Sequence, residues 1–240
     1  KRPFKFTGEA YYKYLDDLIP YVVDNVRIRY LSENSARGYA TGVDFKINGE
    51  FIEGTESWMS LSFLKTEQDI IGDYYYEYYN AAGEKIIRGY TADQVVADSA
   101  RFEPGYIPRP SDQRVSFAIF FQDYLPIIPS MKAHLTLIFG TGLPFGPPDS
   151  PLYKHTRRYP PYRRVDIGFS KLLVGEKTKF KENNPLRYID KAWLSFEVFN
   201  LFQISNTVSY IWVKDINNRQ YAVPNYLTPR LLNLKLIVEL

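Results

Sequence analysis

The residues of this chain with the clearest capacity to bind a ligand are a run of tyrosines. Five of them occupy positions 74 to 79, with Asp73 before them and Glu77 among them; they are Tyr74, Tyr75, Tyr76, Tyr78 and Tyr79. A phenol ring has a flat apolar face and a polar edge, so such rings stack on sugar faces and on aromatic chelates. The run predicts a ligand-binding surface. Its alternative is packing on a neighbouring loop or membership of an aromatic belt at a membrane interface.

Residues for catalysis or metal binding are few. The 240-residue chain has two His and no Cys, and it lacks the Gly-x-Ser-x-Gly, P-loop and His-Glu-x-x-His patterns. Disulfides, thiolate zinc sites and thiol nucleophiles are thereby excluded. We expect a protein that is not an enzyme and that holds no metal and no cofactor. His134 is expected in a polar network with Asp166 or Glu197, and His155 in a solvated loop.

Charged residues are nearly balanced, with 30 basic and 27 acidic side chains and a formal charge of +3. This balance gives no nucleic-acid footprint. One local cluster is basic and comprises Lys154, Arg157, Arg158, Arg163 and Arg164. It would attract an anionic ligand or lipopolysaccharide phosphates, or else it is a solvated loop. In the second case Arg164 would pair with Asp166, which lies on the same face of an extended chain.

The elements that must position these residues show strict alternation of apolar and polar residues, which predicts β-strands. The alternating segments are 4–14, 38–48, 57–65, 114–122, 132–140, 162–171, 192–200 and 231–240. Their length suits strands that cross a bilayer at a steep tilt, which need about 9–11 residues. The polar face is expected to carry Lys5, Glu9, Asp44, Lys46, Arg114, His134, Arg164, Asp166, Glu197 and Lys235. The fold class predicted is all-β, a transmembrane antiparallel β-barrel, and a soluble β-sandwich is the alternative.

The connections between these segments alternate in length. Segments 15–37, 66–111, 141–161 and 201–230 are long, whereas 49–56, 123–131 and 172–191 are shorter on average. Long loops on one side and short turns on the other are typical of outer-membrane barrels, where the long loops are extracellular. Within the longest loop, Thr91 to Gln94 matches a capping box and predicts a short helix from Val95 to Arg101.

Several stretches resemble the C-terminal barrel of TonB-dependent outer-membrane receptors of the Bacteroidetes type. They combine Gly, Pro and Arg at fixed offsets with strand alternation and span nearly the whole chain. These stretches are Glu33–Tyr39 with Gly42–Phe51, Trp58–Leu64, Phe139–Pro148, Pro160–Phe169, Glu197–Phe202 and Val223–Arg230.

The resemblance implies a barrel of about 22 strands with an N-terminal plug. Residues 1–240 would be its C-terminal part, about eight strands, with the plug and the earlier strands absent. The implied function is binding and active import of a nutrient such as a metal chelate, a glycan or a peptide across the bacterial outer membrane. The implied partners are outer-membrane lipid and the TonB system, the latter through the plug. Whether a surface lipoprotein also covers the barrel stays open, and no nucleic acid is expected.

A second interpretation is a self-closed eight-stranded outer-membrane barrel with an adhesive, structural or small enzymatic role. The interior of such a barrel is only wide enough for its own side chains, so every charge on the polar face would need a partner there. The two interpretations predict different backbone pairing. The segments 4–14 and 231–240 pair with each other in the small barrel and do not pair in a fragment of the large one.

Overall fold

The computed structural model of this chain describes residues 4–24, 27–31, 33–52, 55–147, 150–175, 178, 180, 184, 188–216, 219–227 and 229–240. Over these residues the protein is all-β, with a 3₁₀ turn at Leu152–Lys154. Among the described residues, no helix is long and apolar enough to span a membrane. The strands are β1 Phe4–Leu18, β2 Tyr21–Asp24, β3 Arg27–Tyr30, β4 Ala36–Ile52, β5 Thr55–Ile70, β6 Tyr75–Tyr79, β7 Asp98–Phe102, β8 Tyr106–Pro108, β9 Val115–Leu125, β10 Ile128–Gly140, β11 Pro144–Phe145, β12 Arg157–Arg158, β13 Tyr162–Val174, β14 Lys191–Phe199, β15 Thr207–Lys214, β16 Gln220–Tyr226 and β17 Leu231–Glu239.

One large antiparallel sheet contains the eight strands predicted from the alternation. Its order is β1-β4-β5-β9-β10-β13-β14-β17, and β8 pairs beside it with β5. Each long strand therefore pairs with the next long strand along the chain, and every one of these ladders is antiparallel. The predicted all-β class and the eight strand positions are confirmed. The first strands are longer than predicted, with 15 residues in β1, 17 in β4 and 16 in β5.

The four long connections lie at one end of the sheet, which we call the loop end; the opposite end is the turn end. Antiparallel order requires this arrangement, because every second connection returns to the same side. Each long connection folds into a two-stranded hairpin of its own: β2–β3, β6–β7, β11–β12 and β15–β16. The alternation of the strands did not predict these hairpins.

The helix predicted from Val95 to Arg101 is wrong. Residues 98–102 form strand β7, which pairs with β6 and places Arg101 opposite Tyr76. The hydroxyl of Thr91 accepts a hydrogen bond from the backbone N–H of Ile87, 2.9 Å away, upstream of the predicted helix. Thr91 is therefore part of a turn and does not cap a helix. Pairing with β6 gives residues 98–102 their strand conformation.

Burial in the sheet is inverted relative to a water-soluble protein. Phe6, Tyr12 and Leu234 expose 65, 68 and 69 % of their surface. Among the described residues the buried apolar side chains are Ala36, Ile107 and Ala192 together with Pro20 and Pro144, whereas the buried polar ones are Thr55, Ser57, Thr66, Gln68, Asn80, Asp112, Asp166, Ser195, Asn200, Asn206 and Ser209. Residues directly opposite in a ladder share a face. The alternation therefore sorts the side chains into an exposed apolar face and a more enclosed polar face.

The two outermost strands of the sheet have unpaired edges. Among the described residues no ladder joins β1 to β17, although both strands are described over their whole length. The eight strands thus form an open sheet. An edge strand presents a row of N–H and C=O groups that need a partner, and here the rows belong to strands of 15 and 9 residues.

The loop end is held by one carboxylate. Asp112 is fully buried and accepts hydrogen bonds from the Thr66 backbone N–H at 2.8 Å and from the Arg114 Nε at 2.7 Å. It also pairs with the Arg158 guanidinium. The Arg158 Nη1 in turn donates to the carbonyl of Gly142 at 3.0 Å. A single side chain therefore connects the end of β5, the start of β9 and the third long loop.

Replacing Asp112 with Ala is expected to lower the free energy of unfolding by about 3–5 kcal/mol, because two guanidinium groups would lose their buried partner. Asp69→Ala is the matched control. Asp69 pairs with Arg37, which is half exposed, so its loss should change the same free energy by about 0–1 kcal/mol. Urea titration followed by circular dichroism measures both variants, and equal losses would contradict the role assigned to Asp112.

Candidate functional site

The five tyrosines of the sequence prediction lie on and beside the β6–β7 hairpin, at the loop end. Successive side chains of a strand point to opposite faces, so the run divides into two sets. Tyr74, Tyr76 and Tyr78 are exposed, whereas Tyr75 and Tyr79 are half-buried. The structure therefore keeps three of the five rings together on one accessible surface and directs the other two away from it.

The exposed set forms a row that we call the tyrosine ladder: Tyr74, Tyr76 and Tyr78. The ring centroids of Tyr74 and Tyr76 are 5.7 Å apart with the rings nearly perpendicular, and those of Tyr76 and Tyr78 are 6.4 Å apart. On the partner strand the Arg101 guanidinium lies 4.3 Å from the Tyr74 ring. Ser99 is paired opposite Tyr78. Aromatic faces are thus bordered by a cation and a hydroxyl.

The other two tyrosines hold the hairpin in place. The ring of Tyr75 stacks on Tyr153 of the third long loop at 4.5 Å and on Phe102 at 5.7 Å. The Tyr79 hydroxyl donates to Glu77 at 3.1 Å. Lys85 also pairs with Glu77, and its hydrogen bond lowers the pKa of that carboxyl. Packing on a neighbouring loop, one alternative of the sequence prediction, is therefore observed for Tyr75, and ligand binding by the exposed rings stays a prediction.

The long loops converge on a small apolar cavity of about 70 Å³. All four loops line it, and most of the lining residues come from the third; Val23, Pro108, Tyr159 and Val208 represent the first to the fourth loop. His155 also lines it, and its Nε2 lies 3.2 Å from the carbonyl of Ser150. Burial lowers the pKa of this imidazole. The expectation that His155 is a solvated loop residue is wrong, because the neighbouring loops cover it.

The basic cluster does not form one continuous patch. Arg158 is bound to Asp112, and Arg164 forms an ion pair of 2.9 Å with Asp166 on the same face of β13. Asp166 in turn accepts from the backbone N–H of Asn200 at 2.8 Å. The same-face pair inferred from the spacing is present, and two of the five cations are thereby neutralised inside the fold.

On the polar face, Glu197 is the centre of a network. It accepts a hydrogen bond from the Asn233 amide at 2.8 Å, and its Oε1 lies 3.6 Å from the His134 Nε2 and 3.8 Å from the Lys235 Nζ. The imidazole of His134 faces Gly168, where an added Cβ would lie 2.2 Å from the ring. Of the two carboxylates that the sequence offered to His134, the structure selects Glu197.

The remaining predicted polar-face residues lie apart from this network. Lys5 and Lys46 are exposed on β1 and β4, with Asn48 opposite the first and Ser60 opposite the second. Glu9 is opposite Asp44, which accepts a hydrogen bond from Ser62. Arg114 lies just before β9 and pairs with Asp112. The set is thus dispersed over the sheet and does not gather into one site.

Several residues of these surfaces were not predicted from the sequence. Arg101 joins the tyrosine ladder only through the β6–β7 register, and Tyr153 meets Tyr75 only through loop packing. Lys132 lies between the rings of Tyr124 and Trp193 on the polar face. Strand alternation assigns Lys132 to that face, but the aromatic neighbours come from two other strands.

Comparisons with other proteins add no assignment: no family model matches the chain, and no curated protein and no solved structure is significantly similar to it. Within the described ranges, no group of three or more His, Asp or Glu side chains is placed to hold a metal ion. The candidate site is therefore described by its own geometry, in which the tyrosine ladder presents three exposed rings on one surface.

The two sets of tyrosines should respond differently to substitution. Tyr75→Ala removes stacking on two rings, each worth about 0.5–1.5 kcal/mol, so the hairpin should open more often and trypsin should cleave after Lys85 and Arg101 several-fold faster. Tyr76→Ala, the matched control on the exposed face, should leave the cleavage rate nearly unchanged. Equal rates in the two variants would show that the division of the run into packed and exposed rings is incorrect.

Proposed function

We propose that this chain is part of an outer-membrane active transporter of the TonB-dependent type, which binds and imports a nutrient such as a metal chelate, a glycan or a peptide. The observation that carries the proposal is the inverted burial of the large sheet, with apolar side chains exposed and polar side chains enclosed. Long loops at one end only and two unpaired edges support it further.

The exposed face has the chemistry expected of a lipid-facing surface. A contiguous apolar surface of several strands is far larger than the patches that water-soluble monomers expose. In β5 this face changes after Phe63: Lys65 and Glu67 follow, 3.0 Å apart. At the same level the rings of Tyr12 and Tyr39 stack 6.0 Å apart. Aromatic rings beside paired charges are typical of the boundary between hydrocarbon and water.

The unpaired edges support a barrel larger than these eight strands. Within a membrane every backbone polar group needs a protein partner, so β1 and β17 require further strands. A closed barrel of eight strands would provide them by pairing β1 with β17, and that ladder is absent from the described strands. Additional strands of the same protein, in a barrel of about 22, satisfy both edges.

In this proposal the loop end faces the cell exterior and the tyrosine ladder contributes to ligand capture. The ladder is accessible, it lies on a hairpin held by the stacking of Tyr75 on Tyr153, and its rings provide contact area at a small loss of side-chain entropy. Transport itself would depend on a plug and on the TonB system, so this sheet supplies the wall and part of the outer binding surface.

The membrane location has a direct test in paired substitutions on β17. Leu236→Arg should lower the free energy of unfolding in lipid vesicles by about 2–4 kcal/mol, because an arginine near the bilayer midplane is costly. Lys235→Arg, the adjacent control, should change it little, because Lys235 is on the polar face. Heat-modifiability on gels at increasing urea measures the folded fraction. Leu236 is already 60 % exposed, so a water-soluble sheet would tolerate arginine there, and that result would reject the proposal.

Ligand capture is tested in cells that carry the full-length gene. Deleting the gene identifies the nutrients whose use depends on it. On those nutrients, a variant with Tyr74, Tyr76 and Tyr78 changed to Ser should need about tenfold more nutrient for half-maximal growth, at unchanged surface abundance. The control changes the exposed Tyr30 of the β2–β3 hairpin to Ser. Normal growth of the triple variant at normal abundance would exclude a role of the ladder in capture.

A further inference from the structure

A second candidate binding site lies on the polar face at the turn end, far along the strands from the loop hairpins. Two adjoining cavities of about 360 and 650 Å³ share the side chains of Lys132 and Trp193 in their walls. We call the pair the turn-end cleft. Volumes of this size suit a small organic ligand, for which protein sites commonly provide aromatic walls and a few polar groups.

The central group of the turn-end cleft is an ammonium without an anionic partner. The Nζ of Lys132 lies 4.7 Å from the centroid of Tyr124 and 4.8 Å from that of Trp193. No carboxylate of the described chain comes within ion-pair distance of it. Cation–π contacts orient the ammonium but do not neutralise its charge. The Lys132 ammonium is therefore held in position, and its N–H groups can donate hydrogen bonds to a ligand.

The surrounding charges favour an anion. The lysines lining the cleft are Lys132, Lys191 and Lys235, against the carboxylates Glu197 and Glu239. Glu197 is already engaged by Asn233, His134 and Lys235. With three lysines against two carboxylates, the lining of the cleft carries a net positive charge.

The apolar part of the cleft lies beside this cation. Pro129, Leu172 and Tyr124 line the larger cavity together with Trp193. A ligand that places its charge on Lys132 can therefore lay an apolar body of limited size along these side chains. Burial of that body and the charge-assisted contact would act together.

We infer that the turn-end cleft binds a small organic carboxylate, with the carboxylate on the Lys132 ammonium and the apolar body against Trp193, Leu172 and Pro129. The inference rests on the cleft alone and does not require the proposed transport function. In a transporter it would make the polar wall selective for an organic acid; in any other protein it would remain a carboxylate site.

The probes are benzoate and its neutral analogue benzamide, which differ in charge and share their ring. The protein, folded in lipid vesicles as for the β17 variants, carries Trp58→Phe and Trp212→Phe, which leave Trp193 as the only indole of residues 1–240. Benzoate should change the Trp193 fluorescence in a saturable manner, and benzamide should bind about tenfold more weakly or not at all. Equilibrium dialysis of labelled benzoate gives the same dissociation constant without a fluorophore.

Variants assign the contact to Lys132. Lys132→Gln should raise the benzoate Kd about ten- to hundredfold, while Lys132→Arg should retain binding. Lys46→Gln, a polar-face lysine outside the cleft, is the control and should leave the Kd unchanged. The inference would be overturned if benzoate and benzamide bound the starting protein equally, or if benzoate showed no saturable binding; neither result needs a Lys132 variant. It would also be overturned if Lys132→Gln bound benzoate with the affinity of the starting protein.

Discussion

Backbone hydrogen bonding between neighbouring strands is the interaction on which the rest of this structure depends. Seven antiparallel ladders connect the eight long strands without an extended apolar interior, since the buried apolar residues of the described chain are Ala36, Ile107, Ala192, Pro20 and Pro144. A sheet of this kind satisfies the hydrogen bonds of its backbone between strands but leaves its apolar face exposed. In the function proposed above, lipid would cover that face and further strands would pair with its two edges.

The loop end depends on a different set of contacts, which are local and specific. The buried carboxylate of Asp112 joins three segments, and the stacking of Tyr75 on Tyr153 joins two loops. These contacts give the β6–β7 hairpin a defined position, so the tyrosine ladder is presented on a fixed support. On the polar face, Asp166 pairs with Arg164 and Glu197 lies within ion-pair distance of Lys235, whereas the ammonium of Lys132 contacts only aromatic rings among the interactions of the described residues.

The sequence predicted the large sheet well, because period-two alternation is a property of each strand taken alone. The eight strand positions, the antiparallel neighbours and the pairing of Arg164 with Asp166 all followed from spacing along one strand. Predictions failed where a partner from elsewhere decides the conformation. The capping box before Val95 is overruled by pairing of β7 with β6, and His155 is covered by loops that are distant in sequence.

What the sequence determined by itself is therefore the class of fold, the two faces of the sheet and the side on which the long loops lie. Only the tertiary structure decided which side chains meet across strands: Tyr75 with Tyr153, Arg101 with Tyr74, and Lys132 with Trp193. It also decided that β1 and β17 do not pair. The physical reason is that alternation records only which face a residue occupies, whereas cross-strand contacts depend on register and loop packing, which no single segment encodes.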